Sequence, residues 1–488
     1  MKHEKSEKMY DAITDIRDDL VESAEKKKPR RRRWWPAAVA AVLTVAIAGG
    51  VILWPDGSPL TATAYAVAEA QYPQMAPYPN EMDYTDQVTG KFDNEGFSQV
   101  FDAWWTSRRA QLDQPEGYAD GLDAFFAASI GQFLSGAEGE NRVYSPLNVY
   151  MALAMLAELT GGNSREQILD LLGSGSIEAL REQAGALWNA NYCDDGATIS
   201  VLASSVWLNE NVSFVRETMD TLAETYYASS YQGAMGSAEF NRALQDWLNE
   251  QTGGLLKEQA GQIEMDPDTI LALATTVYFR AKWADEFFES ETEPGVFHAA
   301  DGDVTCDFMH QSGSRTYYWG DRFSAVVQSL KDSGGMWFIL PDEGVGVDEL
   351  LQDGQVMEFL LTAESEWENS RSLTVNLAVP KFDVTSQLEL KEGLKALGVT
   401  DVFDGSVSDF SPMTEDTDEI FVSKVQHDAR VTIDEEGCTA AAYTVMAMAG
   451  GSAPPEEEID FVVDRPFLFA ITGADGLPLF VGVVNHAN

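Results

Sequence analysis

The sequence predicts a mixed α+β domain from about residue 117 to residue 488, preceded by a separate N-terminal part. Helical patterns are concentrated early in this domain, and the first has its apolar residues on one helical face. These residues are Leu122, Phe125, Phe126, Ile130, Phe133 and Leu134. Strand-like runs are concentrated late, and several are apolar on both faces, which predicts a large sheet covered on both sides. The runs are 198–208, 270–280, 336–341, 371–379, 421–433, 461–472 and 477–484.

Local signals mark the ends of several elements. Ser145 followed by Pro146 predicts a capped helix start. Asn163 with Glu166 three residues later predicts a capping box at the start of the next helix. Near the C-terminus, the turn residues 474–476 between two apolar runs predict a β-hairpin.

Charge and cysteine usage exclude several classes of protein. The 488-residue chain has a formal net charge of −47, whereas nucleic-acid phosphates require a basic protein face. Its three cysteines, Cys193, Cys306 and Cys438, are too few and too scattered for a disulfide framework or a cysteine-based metal site. We therefore expect no nucleic-acid partner, no metal and no cofactor.

No enzyme signature is found in the sequence. The chain has five histidines and contains no H-E-x-x-H, G-x-S-x-G, P-loop or dinucleotide-binding motif. His427 lies in an apolar run, where a lone histidine is more often a hydrogen-bonded core residue than a catalyst. The sequence therefore predicts that the protein is not an enzyme. An extracellular hydrolase is the last-ranked alternative, because no nucleophile and base pair is evident.

The N-terminal part predicts a membrane anchor. Residues 1–33 end in a basic cluster and are expected to form a cytoplasmic tail. Residues 34–54 carry no charged side chain, and as a helix they would span roughly 30 Å, the thickness of a bilayer core. We expect a single-pass protein of the cell membrane with an extracellular domain. The alternative is a signal peptide cleaved near residue 64, which would release a secreted protein.

Residues 55–116 connect this predicted span to the domain. Up to about residue 95 they are rich in Pro, Tyr and Gly and show no periodicity, which predicts an extracellular tether lying outside or against the domain. A short helix with an apolar face is expected to follow and to pack on the domain. The apolar residues of this helix are Phe97, Phe101, Trp104 and Trp105.

The stretch from residue 433 to residue 455 is unlike an ordinary helix or strand. Two glutamates and a glycine precede a run of small residues, and a Pro-Pro pair closes it. In a strand, alternate residues share a face, so Cys438, Ala440, Ala442 and Thr444 would form one uncharged face. Small side chains would let this loop enter between two strands of a sheet. A surface loop that is merely rich in Ala and Gly is the alternative.

Separated motifs resemble those of the serpin family, in the order in which that family has them. They are 143–148, 276–283, 338–342, 379–382, 464–469 and 480–485, together with the loop itself. The chain resembles a bacterial, membrane-anchored, inhibitory member of the family over about residues 117–488. The resemblance implies a metastable, monomeric domain with helices around a large mixed central β-sheet, additional sheets and a mobile reactive-centre loop.

The resemblance also assigns residues to roles in loop insertion. It places a shutter, where the central sheet opens, at Ser145, Asn148, Thr275 and His427, with Thr275 replacing the family's asparagine. It places a breach, where the loop enters the sheet, at Trp283, Lys381 and Glu435. It assigns the loop hinge to Glu435, Glu436, Gly437, Cys438, Thr439, Ala440, Ala441 and Ala442.

The implied function is that of a suicide substrate of serine proteases. The family's spacing places the reactive bond at Gly451–Ser452, with Met448, Ala449 and Gly450 as alternative positions before the bond. No Arg or Lys lies near this bond and no aromatic residue follows Tyr443, so an elastase-like or subtilisin-like protease is expected. The alternative function is that of a non-inhibitory, serpin-fold extracellular binding protein.

Overall fold

The computed structural model describes residues 62–86, 89–137, 139–254, 260–331, 334–416, 420–438, 455 and 457–487. Contacts divide the chain into two compact units, Met1–Pro59 and Leu60–Asn488, and all described residues belong to the second. The predicted tail and membrane span lie outside the described residues. Among the residues that are described, no helix is both long and apolar enough to cross a bilayer.

The helices are concentrated in the first half of this unit, as the sequence predicts. They are α1 (Asn94–Leu112), α2 (Leu122–Leu134), α3 (Pro146–Leu159), α4 (Gly162–Leu172), α5 (Ile177–Asn191), α6 (Arg216–Thr225), α7 (Ala238–Gln251), α8 (Val347–Leu351), α9 (Gly354–Glu366) and α10 (Lys391–Ala396).

Two predicted helix starts have different outcomes. Ser145 caps α3 by accepting a hydrogen bond from the backbone N–H of Asn148, and Pro146 occupies the first turn, so this prediction is confirmed. The predicted capping box of α4 is wrong. Gly161 is its N-cap and no side chain caps the helix. The Asn163 side chain instead donates a hydrogen bond to the Asp401 carboxylate.

The central sheet has the strand order β1-β5-β4-β6-β14-β13-β12, with β3 paired to β4. Its strands are β1 (Ala66–Ala68), β3 (Cys193–Asp194), β4 (Ile199–Asn209), β5 (Ala228–Gly233), β6 (Leu271–Lys282), β12 (Phe382–Glu389), β13 (Gln426–Ile433) and β14 (Gly437–Cys438). The predicted run 421–433 is a strand only from Gln426 onward.

The second sheet has the order β15-β11-β8-β9-β10-β16-β17-β2, with β7 paired to β8. Its strands are β2 (Arg142–Tyr144), β7 (Glu293–Ala299), β8 (Gly302–Trp319), β9 (Phe323–Ser329), β10 (Gly335–Pro341), β11 (Ser370–Pro380), β15 (Glu458–Val462), β16 (Phe467–Thr472) and β17 (Pro478–Val484). The predicted run 461–472 is therefore two strands. The predicted hairpin joins β16 to β17 and turns at Gly476, whose φ is +83°.

The core lies around α3. This helix contacts β6 of the central sheet and β17 of the second sheet, and almost all of its residues are buried. Burial of apolar surface on every side of one helix explains why its sequence shows no polar face. It also places Ser145, at the start of α3, beneath the central sheet.

The segment before the predicted domain packs on it. Strand β1 pairs with β5 and extends the central sheet at its edge. Helix α1 has 19 residues, so it is longer than the short helix expected from the sequence. Its Trp104 side chain is only 1% exposed. Of the two predicted placements of the tether, outside or against the domain, the described residues adopt the second.

Candidate functional site

The central sheet receives the first residues of the loop between two long strands. In β14, Gly437 pairs with Lys282 of β6, and Cys438 pairs with Ala281 of β6 and with Ile433 of β13. Within the described part of the chain, β6 and β13 each pair with β14 and not with one another. We call this place between β6 and β13 the insertion position. A longer strand entering it would find backbone partners on both sides once β6 and β13 have moved apart.

A tight turn brings the chain from β13 into the insertion position. The Asp434 carboxylate accepts hydrogen bonds from the backbone N–H groups of Glu436, at 2.9 Å, and Gly437, at 3.1 Å. The Asp434 N–H donates to the Gly437 carbonyl at 3.0 Å. An aspartate that bonds to the backbone two residues later is a common device of sharp turns. We call residues 434–437 the hinge turn.

Gly437 is required by the close approach of the hinge turn to β6. A Cβ atom at this position would lie 2.3 Å from the Ala281 carbonyl oxygen and 2.8 Å from the Lys282 Cα. Both are backbone atoms and cannot rotate away. The glycine of the predicted hinge is therefore a packing requirement, because only a residue without Cβ fits here.

The predicted breach residues lie together around the hinge turn. Lys381 Nζ lies 2.6 Å from Glu435 Oε1, and the Thr292 hydroxyl donates to the same oxygen at 2.8 Å. The Trp283 indole N–H donates to the Asp434 carbonyl at 2.8 Å, and its ring is 1% exposed. Trp283 directly follows β6, Thr292 directly precedes β7 and Lys381 lies between β11 and β12, so three separate segments of the chain fix the hinge turn.

The protonation state of Glu435 follows from these contacts. Burial raises the pKa of this carboxyl, but the hydrogen bonds from Lys381 and Thr292 outweigh it, and the pKa lies below the ordinary 4.5. Glu435 is therefore ionised at neutral pH. Its backbone carbonyl also accepts a hydrogen bond from Phe287 at 3.0 Å, and that of Glu436 accepts one from Trp283 at 3.1 Å.

The predicted shutter residues Ser145 and His427 are in direct contact. The backbone N–H of Ser145 donates to His427 Nε2 at 3.1 Å, and the Tyr144 ring lies 5.4 Å from the imidazole centroid to centroid. Burial lowers the pKa of His427 to about 4 because the charged ring would lose its hydration. The imidazole is therefore neutral at pH 7 and accepts the hydrogen bond.

The other two predicted shutter residues are less well connected. Asn148 is 1% exposed, and neither atom of its amide has a partner among the described residues. Thr275 lies half-buried in β6 opposite Ser204, and no hydrogen bond joins it to Ser145 or His427 within the described ranges. Its neighbour Thr276 has a buried hydroxyl that has no partner there either.

The remaining predicted site residues lie outside the described ranges. These are the hinge residues 439–442 and the reactive-bond positions 448–452. For Cys438 the structure describes the backbone, which pairs in β14. Two residues at the breach were missed from the sequence, Asp434 and Thr292. The first could have been found, because Asp two residues before a Glu-Gly pair is a turn signal; Thr292 has no local signal.

These features define a class of protein in which the chain leaves a hinge turn as a short strand between two long strands of the main sheet. The model of the serpin family, described as serine protease inhibitors, matches residues 122–487. The chain belongs to the serpin family.

Relatives and solved structures agree with this assignment. Serpin-ZXA of Oryza sativa subsp. japonica is 31% identical over 372 residues, which cover 72% of this chain and 91% of that protein. The leukocyte elastase inhibitor of Sus scrofa is 30% identical over 361 residues, covering 71% and 93%. The native-state crystal structure of the thermophilic serpin tengpin matches with a TM-score of 0.68 at 23% identity, covering 77% and 95%. The family supports protease inhibition as the general activity, and the protein is not an enzyme.

Proposed function

We propose that this protein is a suicide-substrate inhibitor of serine proteases that works by inserting its cleaved loop into the central sheet. The main support for the proposal is the position of strand β14. Gly437, the last residue of the hinge turn, and Cys438 already occupy the insertion position between β6 and β13. A continuation of the loop can pair with β6 and β13 only where these two strands are not paired with each other. Among the described residues they are not paired with each other.

The proposed reaction uses the chemistry of the protease. The serine oxygen of the protease attacks the carbonyl carbon before the reactive bond, and the leaving amine takes a proton from the protease base. The protease is then joined to the N-terminal side of the cut by an ester. The freed loop enters the insertion position and carries the protease with it before water hydrolyses the ester. The inhibitor itself supplies no catalytic group.

The composition of the loop supports insertion. Residues 438–451 contain no charged side chain and, as a strand, would extend roughly 45 Å. A charge on the inward face would be buried without a partner, at a cost of several kcal/mol. Insertion of the strand would then be slow, and water would hydrolyse the ester and release an active protease.

The test is to place an arginine on the inward face of the loop. Ala440→Arg and Cys438→Arg should convert the inhibitor into a substrate that is cleaved and released, whereas Ala441→Arg, on the predicted outer face, serves as the matched control. The measurements are the stoichiometry of inhibition and the yield of an SDS-resistant complex. Unchanged trapping by the two inward variants would contradict the insertion mechanism. A wild type that traps no serine protease would instead favour a non-inhibitory binding protein.

We further propose an elastase-like or subtilisin-like target. The residues before the proposed Gly451–Ser452 bond are small or apolar, which suits a shallow apolar pocket and offers no cation to an acidic one. The mass of the C-terminal peptide released on reaction tests the position. A peptide starting at Ser452 supports this bond, and one starting at Ala449 or Gly450 moves it. Rapid inhibition of trypsin alone would overturn the target class.

Finally, we propose that the inhibitor is held at the cell membrane by residues 34–54, with residues 1–33 inside and the serpin domain outside. The support is the basic cluster followed by an uncharged span of bilayer length. Protease added to intact cells should remove the domain and leave the tail. A mature protein that starts near residue 65 would instead support cleavage and secretion. The predicted bacterial origin stays a prediction.

A further inference from the structure

An N-terminal segment outside the family match is part of the central sheet. We call residues 62–112 the N-terminal brace, since the serpin family model begins only at residue 122. Its strand β1 pairs with the edge strand β5, with Ala66 opposite Tyr231 and Ala68 opposite Ser230. The Ala70 N–H continues this contact by donating to the Ser229 hydroxyl at 3.1 Å. The edge of the sheet is therefore covered by the chain's own brace.

Aromatic contacts attach the next residues of the brace to the side of the domain. The Tyr72 ring lies 5.3 Å from that of Trp188 and 5.8 Å from that of Tyr192, centroid to centroid. Further along, the Tyr78 N–H donates to the Asp195 carbonyl at 2.8 Å. Such ring pairs add stabilisation beyond the area that they bury. The brace is thus attached from the sheet edge to the connection between α5 and β4.

A buried carboxylate is the main attachment point of α1. Asp195 is 3% exposed and Trp104 is 1% exposed, and the indole N–H donates to Asp195 Oδ2 at 2.9 Å. The other oxygen accepts from the backbone N–H of Ala197 at 3.0 Å and of Thr198 at 2.8 Å. A buried carboxylate is costly unless its oxygens accept hydrogen bonds. The bond from Trp104 therefore helps to stabilise the hairpin that leads into β4.

Hydrogen bonds continue from this hairpin to the insertion position. The Thr198 hydroxyl donates to the Lys331 carbonyl at 3.0 Å. The Lys331 N–H donates to the Lys282 carbonyl at 2.8 Å, and Lys282 is the β6 residue that pairs with Gly437 of the hinge turn. The Lys331 ammonium also lies 4.7 Å from the Tyr78 ring centroid. Contacts from the brace therefore reach the backbone of the strand that receives the loop.

We propose that the N-terminal brace positions the C-terminal end of β6, at Lys282, and thereby sets the rate of loop insertion. Trp104 and Asp195 act as positioning residues. The inference rests on the proposed function. A complete inserted strand requires β6 and β13 to stand about two strand spacings apart, roughly 9.6 Å, along their whole length. A movement of β6 relative to Lys331 and the α5–β4 hairpin would strain or break the bonds through Lys331, Thr198 and Asp195. Loosening the brace should therefore make insertion faster.

The test measures insertion without a protease. A fluorescein-labelled synthetic peptide with the sequence of residues 438–451 is mixed with the full chain, and its incorporation is followed by fluorescence anisotropy. Trp104→Phe keeps the buried ring and removes the donor to Asp195. We expect incorporation about tenfold faster than in the wild type, the effect on a rate of losing one buried, charge-assisted hydrogen bond. The matched control is Trp105→Phe, the same change at a 41% exposed neighbour, which should leave the rate unchanged.

Two further variants separate positioning from general destabilisation. Asp195→Asn keeps the size of the side chain but leaves one acceptor oxygen for two sets of donors, so it should accelerate incorporation as Trp104→Phe does. It also tests the proposal if Trp104→Phe does not fold. Ile130→Val removes a core methylene from α2, away from these contacts. Equal acceleration by Ile130→Val would overturn the positioning role, because the effect would then follow stability alone.

The outcomes also separate this inference from the proposed function. If the wild type incorporates the peptide and Trp104→Phe and Asp195→Asn do so at the wild-type rate, the inference is wrong and insertion stands. If the wild type neither incorporates the peptide nor traps a serine protease, the proposed function is wrong.

Discussion

The two ends of the predicted insertion path differ in how their buried polar groups are satisfied. At the breach, the Glu435 carboxylate has two donors on one oxygen, Lys381 and Thr292. At the shutter, the Asn148 amide is buried with no partner among the described residues, and His427 is neutral. The carboxylate at the breach is therefore fully paired, whereas the start of α3 at the predicted shutter buries an amide without a partner among the described residues. Each unpaired buried group costs about 1–3 kcal/mol.

The largest expected effect is the pH dependence of stability that the shutter residue His427 causes. The pKa of His427 falls from 6.5 to about 4 in the folded protein, so between these values the unfolded state binds a proton that the folded state does not. Stability should therefore fall as the pH drops from 6.5 to 4, by ~3 kcal/mol for this group. His427→Gln, followed by urea unfolding at pH 7 and pH 4.5, should flatten this part of the profile.

His298 provides the control for the pH measurement, because it is an exposed histidine paired with Asp303. His298→Gln should leave the slope between pH 6.5 and 4 in place. A slope that persists unchanged in His427→Gln would show that burial of this imidazole is not what makes the shutter sensitive to pH.

The next effect tests the packing of the hinge turn. In Gly437→Ala, the added methyl group would meet the Ala281 carbonyl at 2.3 Å, so β14 must move away from β6. We expect a loss of about 2 kcal/mol and faster hydrogen exchange at the amides of β6 next to the hinge turn. The control is Gly131→Ala in α2, where a Cβ meets nothing within 4 Å. It should be neutral or stabilising by up to ~1 kcal/mol, and loss of stability in both variants alike would contradict the packing argument.

The third prediction concerns the ion pair at the breach, and its expected effect on stability is similar in size to that of Gly437→Ala. Lys381→Met leaves the Glu435 carboxylate, whose side chain is 10% exposed, with Thr292 alone, and we expect a loss of ~2 kcal/mol. The depressed pKa of Glu435 makes this contribution present above pH 4.5 and lost as the pH falls through the lower folded value. The variant should therefore differ from the wild type at pH 7 and approach it in acid.

The exposed pair Arg216–Asp220 is the reference for that measurement, with side chains 66% and 44% exposed. Arg216→Met should cost no more than ~0.5 kcal/mol. Equal losses in the two variants would mean that the breach pair is no stronger than a surface pair, and the comparison between breach and shutter would lose its basis.

The smallest effect tests the unpaired amide. Asn148→Ala removes two buried polar atoms without partners and keeps the backbone N–H that Ser145 caps. We expect a gain of about 1 kcal/mol in unfolding free energy and a lower fraction of trapped protease, because a more stable native sheet has less to gain from insertion. Ser145→Ala, which removes the cap, should lose about 1 kcal/mol. Destabilisation by Asn148→Ala would show that the amide has a partner in solution.

Signals that act within a few residues were sufficient to predict part of this protein from its sequence. The capped start of α3 at Ser145 and Pro146, the hairpin that turns at Gly476, and the glycine Gly437 of the hinge turn belong to this group. Each depends on a hydroxyl, a fixed φ, a positive φ or the absence of a large side chain, and these properties belong to the residues themselves. The apolar runs also predicted strands that are buried on both faces, which is right for β10, β16 and β17. It does not hold for β12 of the central sheet, whose residues alternate between buried and exposed.

The tertiary structure alone decided how distant parts of the chain meet. The bond from Thr292 to Glu435 joins residues 143 positions apart, and the one from Trp104 to Asp195 joins residues 91 apart. Neither has a local sequence signature, because such a contact depends on the register of several strands at once. The same holds for β1: the segment 66–68 is too short and too featureless to predict a strand, and it is one because the open edge of β5 offers backbone donors and acceptors that must be paired.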